Sequence, residues 1–161
     1  EGLSKMGEAY FYHLTQGPLE QTLPILLSRS LDAGWRVAVR GSDPGRLDWL
    51  DQKLWLGAEE SFLPHGQAGG DHDALQPILL TQGEAANDPQ CLMAVDGAQV
   101  TPEEVASLER VCILFDGNDY EAVDRARQQW RDLTGAGCGA KYWSEETGRW
   151  QMKSESPAKS A

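Results

Sequence analysis

Four short runs that are apolar almost end to end constrain this chain more than any other feature: WRVAV at 35–39, PILLT at 77–81, CLMAV at 91–95 and VCILF at 111–115. A strand with apolar residues at consecutive positions is buried on both faces, which marks a parallel sheet covered by helices rather than an antiparallel sheet with one wet face. A fifth run, EAYFYHL at 8–14, is rich in aromatics and is closed by Gly17 and Pro18, as a first strand lying centrally in the sheet would be.

The segments between the runs carry helical spacing. Leu19, Leu23, Leu26, Leu27 and Leu31 share a face and stop at Gly34, with Pro24 either in an early turn or at a kink. The turn Gly41-Ser42-Asp43-Pro44 caps a helix bearing Leu47, Leu50, Leu54 and Trp55. Thr101-Pro102-Glu103-Glu104 combines an N-cap, a proline at the first helical position and a capping-box glutamate. Asn118 and Glu121 open a longer helix through Leu133, closed by Gly135 and Gly137. Residues 140–144 and 149–152, separated by EETG, form a terminal hairpin. The expected fold is a three-layer α/β/α domain with a mainly parallel sheet, Rossmann-like without a nucleotide fingerprint.

At 161 residues one core is affordable and two are not. The domain is expected over 6–152, with residues 1–5 read as an expression-tag remnant ahead of Met6 and 153–161 as a polar, disordered tail. Residues 57–76 are Gly- and His-rich without periodicity and read as a loop of about twenty residues, a length that signals function or mobility. No apolar run is long enough for a membrane span, and Cys91, Cys112 and Cys138 are far apart without a pairing pattern, so a soluble, cytoplasmic protein with three free thiols is expected.

Fourteen basic against twenty-five acidic residues give a formal charge of −11, which disfavours strong direct binding to nucleic acid. Six tryptophans offer stacking surfaces, but stacking platforms work within a basic groove. An anionic partner must be held by a local basic patch acting within a Debye length of ~8 Å.

No enzyme signature emerges. The turn after the first strand reads Thr15-Gln16-Gly17-Pro18, with neither dinucleotide nor P-loop glycines. No serine lies in a nucleophile elbow, and no cysteines form a C-x-x-C pair. His65, Asp71, His72 and Asp73 are the nearest approach to a metal set, but they lie in the glycine-rich loop, where solvation is the simpler reading and no metal or other cofactor is expected. A nucleotide- or metal-dependent enzyme on a Rossmann-like scaffold remains the alternative class.

The segment Leu50-Asp51-Gln52-Lys53-Leu54-Trp55, followed by Glu60-Ser61-Phe62-Leu63-Pro64-His65, resembles the L-D-x-x-L-W…S-F-x-P-H signature of the chi subunit family of bacterial DNA polymerase III. The resemblance continues through Gly34-Trp35-Arg36-Val37, Gln76-Pro77-Ile78-Leu79-Leu80, Arg110 to Gly117, and Ala126-Arg127-Gln128-Gln129-Trp130, and it covers 6 to about 150. It implies a non-catalytic accessory subunit beside the clamp loader, joined to the psi subunit and recognising the acidic, phenylalanine-ended C-terminal tail of single-stranded-DNA-binding protein. The positions it matches to tail recognition are Trp55, Phe62, Arg127, Trp130 and Arg131. Asp116 stands where the family's best-known form has an apolar pocket residue, and Trp130 replaces a tyrosine.

The residues support and qualify that assignment. A tail with an aromatic ring, a terminal carboxylate and upstream acids requires an apolar hole with guanidinium groups at its lip. Arg127 and Arg131 are four apart and share a helix face beside Trp130. By pattern alone, however, Val123, Ala126, Trp130 and Leu133 form a core stripe, and the arginines equally suit a solvated face paired with Glu121 and Asp124. Trp55 likewise ends the apolar face of Leu47, Leu50 and Leu54.

Overall fold

The computed structural model describes residues 8–56, 63–145 and 150–157. Strands β1 (Glu8–Leu14), β2 (Val37–Arg40), β3 (His65–Gln67), β4 (Ile78–Thr81), β5 (Cys91–Ala94), β6 (Arg110–Asp116), β7 (Gly139–Ser144) and β8 (Gln151–Ser156) join one sheet in the order β3-β4-β2-β5-β6-β1-β7-β8. Every pairing is parallel except β7 with β8. The helices are α1 (Leu19–Asp32), α2 (Pro44–Leu56), α3 (Pro102–Ser107) and α4 (Tyr120–Gly135).

The apolar runs alternate across the sheet and feed two cores. Val37, Val39, Ile78, Leu80, Met93 and Leu114 meet Leu23 and Leu27 of α1 and Leu47, Leu50 and Leu54 of α2. On the other face Ala9, Phe11, Leu92, Val111 and Ile113 meet Val105 of α3 and Ala122, Ala126 and Leu133 of α4. Leu50 is 1% exposed, and burying such a leucine contributes about 2 kcal/mol. This is the three-layer α/β/α arrangement expected from consecutive apolar strand residues.

Local chemistry sets the element ends. Thr101 and Glu104 form a reciprocal capping box on α3. Glu104 also makes a two-pronged contact with Arg40 of β2, at 2.9 and 2.6 Å, which holds its carboxyl below the usual range. Gly34 follows α1 with φ +84°, a conformation that costs glycine little. α1 begins at Leu19 and runs through Pro24, forgoing the one hydrogen bond a proline nitrogen cannot donate. The three cysteines are free and buried, with Cys91 and Cys112 on adjacent strands facing α1.

Three boundaries differ from expectation. Residues 65–67, expected within a loop, form the edge strand β3, and Asp73–Leu75 form a single 3-10 turn. Three polar or glycine residues carry no strand pattern, so backbone pairing with β4 and the buried side chain of His65 specify them. β8 continues to Ser156, so residues 153–156 are strand rather than unstructured tail; pairing with β7 needs no apolar side chains. α4 is capped by Asp119, whose carboxylate accepts Glu121 N–H, whereas the Asn118 side chain reaches Thr15 O.

Candidate partner-binding surfaces

α4 places one row, Ala122, Ala126, Gln129 and Leu133, against the sheet. Small alanines let the helix approach closely, and the buried Gln129 amide is satisfied by Val100 N and Ala98 O at 3.3 and 3.4 Å. Trp130 lies beside this row, half-buried, rather than in its centre. Its ring meets Phe11 edge-on at 5.3 Å and Tyr142 at 6.0 Å, while Phe11 and Tyr142 stack at 6.5 Å. Tyr142 Oη lies 2.6 Å from His13 Nδ1, and the imidazole rests 5.2 Å from the Phe115 ring. An aromatic bed of Phe11, His13, Phe115 and Tyr142 therefore backs Trp130.

Arg127 and Arg131 are exposed on the same helix. Arg127 has no hydrogen-bond or ion-pair partner among the described residues, and Arg131 donates to Gln128 Oε1 at 2.9 Å. The pairing with Glu121 falls to Arg125, at 4.0 Å. The structure thus brings together three of the five positions matched to tail recognition: Arg127, Trp130 and Arg131.

Trp55 does not join them. It lies in the last turn of α2, on the opposite face of the sheet, and packs at a tilt on His65 of edge strand β3 with ring centres 4.2 Å apart. Five strands separate β3 from β7, a span on the order of 25–30 Å. The apolar face of α2 that carries Trp55 packs into one core and the face of α4 beside Trp130 into the other. Phe62 lies outside the described residues. Trp55 is 47% exposed and Leu56 75%, an apolar patch beside a sheet edge.

The residues at 65–73 that came nearest to a metal set also separate. His65 is buried, with Nδ1 2.7 Å from Leu63 O and Nε2 3.1 Å from Asp51 Oδ1, and the Asp73 carboxylate accepts Gly69 and Gly70 N–H. Among the described residues no group of three or more such side chains is placed to hold a metal.

A cleft of about 790 Å³ lies elsewhere, outside the carboxyl ends of β1, β5 and β6, and none of Trp55, Arg127, Trp130 and Arg131 lines it. Doubly wound folds bind their ligands in this crevice, where helix N-termini offer amides to phosphate. Here several amides of the turns that lead into the helices already have acceptors within the chain. Glu145 Oε1 accepts Thr15, Gln16 and Gly17 N–H, each at 3.1 Å. Asp43 takes Gly45 N–H, Asp116 takes Asn118 N–H and Asp119 takes Glu121 N–H. Five acidic residues against two arginines line the cleft, a balance that repels phosphate.

The sequence pattern assigns no role at this surface to His13, Tyr142 or Glu145. Only strand register assembles them: Phe11 lies opposite Tyr142 and His13 opposite Ser144 in β7. No helix among the described residues is long and apolar enough to cross a membrane.

These features define a doubly wound α/β scaffold with self-occupied crevice amides, a basic aromatic helix face and a distant apolar edge. The family model described as DNA polymerase III chi subunit, HolC, matches residues 6–141, and the chain belongs to that family. It is accordingly a DNA polymerase III accessory subunit. No curated protein matches the chain.

Proposed function

We propose that this chi-family chain is a non-catalytic adaptor that binds the acidic C-terminal tail of single-stranded-DNA-binding protein on the α4–β7 surface. The observation that carries the reading is Arg127, exposed and unpartnered among the described residues, beside a half-buried Trp130 with an aromatic bed beneath it. The tail's terminal carboxylate pairs with a guanidinium there, and its phenylalanine ring packs against Trp130 and Tyr142. Arg131 meets the upstream acids. On a chain of charge −11 such a tail is held only locally, and the acidic crevice on the other flank of α4 rejects it.

The clamp-loader partner, the psi subunit, docks on the other side of the sheet, at the exposed Trp55 and Leu56 beside β3. Aromatic and aliphatic anchors at an open sheet edge suit a protein interface more than a charged tail. Two separate surfaces let one small domain hold both partners at once.

Paired variants test this division. Arg127→Ala lowers tail affinity and leaves psi capture unchanged, whereas Leu56→Asp does the reverse, with circular dichroism confirming the fold of each. If Leu56→Asp weakens a tail peptide as much as Arg127→Ala does, the tail sits at the β3 edge and the assignment is wrong.

A further inference from the structure

Glu145 follows β7 directly and is 8% exposed. Three consecutive backbone N–H groups, from Thr15, Gln16 and Gly17, converge on its Oε1. Such a concavity ordinarily receives an external anion; this one is filled from about 130 residues further along the chain. The contact therefore fastens the end of β7 to the turn between β1 and α1.

What it fastens is informative. Tyr142 lies three residues before Glu145, with its ring against Phe11 and Trp130 and its hydroxyl on His13. β8, the outer neighbour of β7, is exposed along nearly its whole length and gives little packing support from that side. Beyond Ser144 the parallel pairing of β7 with β1 stops, and the Glu145 carboxylate continues the connection with three charge-assisted hydrogen bonds.

We propose that Glu145 is a positioning residue for the tail-binding surface, an internal anion that latches β7 so that Tyr142 stands ready against Trp130. The inference rests on the tail reading above. Preorganising a receptor surface raises affinity without adding a contact to the ligand, so loss of the latch weakens binding although Glu145 never touches the tail.

The latch has a signature that ordinary packing lacks. Truncation to alanine leaves three amides aimed at a vacated anion position, which a small carboxylate such as formate refills. The full chain is titrated with a fluorescent acidic peptide ending in phenylalanine, with formate compared against chloride at equal ionic strength. Glu145→Ala weakens the peptide by about tenfold and formate restores most of the loss, while Glu145→Gln, which keeps an acceptor oxygen, stays within about threefold of the parent. Binding unchanged in Glu145→Ala, or lost and restored no better by formate than by chloride, overturns the latch. Amide exchange at residues 15–17 provides a readout independent of the peptide: it accelerates in Glu145→Ala and slows again with formate. Unaltered exchange overturns the latch even if the tail binds. A parent protein that ignores the peptide refutes the tail reading, and the exchange result then decides the latch alone.

Discussion

Replacing Gly117 by alanine tests the aromatic bed directly. A Cβ at this position would lie 1.9 Å from His13 Cδ2, 2.1 Å from His13 Nε2 and 2.8 Å from Leu14 O. Restoring an ordinary 3.4 Å contact from 1.9 Å requires the imidazole to retreat by 1.5 Å. It has little room to do so, since its Nδ1 is 2.6 Å from Tyr142 Oη and its ring packs on Phe115. Losing that hydrogen bond costs about 1 kcal/mol, and overpacking adds about 2 kcal/mol. Gly117→Ala should therefore lower stability by about 3 kcal/mol in urea unfolding at unchanged m-value, or Tm by roughly 6–12 °C. In a His13→Ala background most of the clash is gone and only the approach to Leu14 O remains, so the same change should cost about 1 kcal/mol. If Gly117→Ala costs less than about 0.5 kcal/mol, or as much with His13 absent as with it present, the imidazole does not lie over Gly117 and the bed is misdrawn.

Two further outcomes follow from the packing. The Glu104 carboxyl is held low first by its hydrogen bond from Arg40, so its contribution to stability is present above its unfolded pKa of about 4.3 and lost as pH falls through the folded value. Glu104→Gln should cost about 1–2 kcal/mol at pH 7, and the gap from the parent should close as unfolding is measured toward pH 3; a constant gap contradicts the assignment. The neighbouring Cys91 side chain, together with burial, raises the Cys112 thiol pKa, while burial raises that of Cys138. Thiol-reactive reagent without reductant should label the folded protein slowly and find three thiols after unfolding, and a lower count would mean a disulfide.

The layered fold was legible because doubly buried strands and one-sided helices write different periods, and each cap used residues with one evident physical role. Thr101-Pro102-Glu103-Glu104 became the capping box it spelled, and Gly34 took the left-handed conformation that ends α1. β3 was illegible because His65-Gly66-Gln67 is specified by pairing and by the buried contacts of His65, not by side-chain alternation. The candidate surface was half legible. Arg127, Trp130 and Arg131 meet because helical spacing is local, whereas grouping Trp55 with them required the order of strands across the sheet, which sequence spacing does not encode. The same limit hid His13, Tyr142 and Glu145, which are brought together across some 130 residues.

The central claim, that the Arg127–Trp130 face is a receptor for an acidic tail ending in phenylalanine, is tested most directly by calorimetric titration. The peptide is compared with the same peptide lacking its last residue, on the parent chain and on Arg127→Ala. The full peptide should bind with micromolar affinity, on the order of −8 kcal/mol, and should weaken without disappearing as salt is raised. Arg127→Ala should cost about 1.5–3 kcal/mol, because a charge-assisted bond is lost and the ligand carboxylate is left unpaired. Removing the terminal phenylalanine should cost at least as much, since ring and correctly placed carboxylate leave together. A truncated peptide that binds as tightly as the full one, or an Arg127→Ala protein that binds as tightly as the parent, would contradict the account.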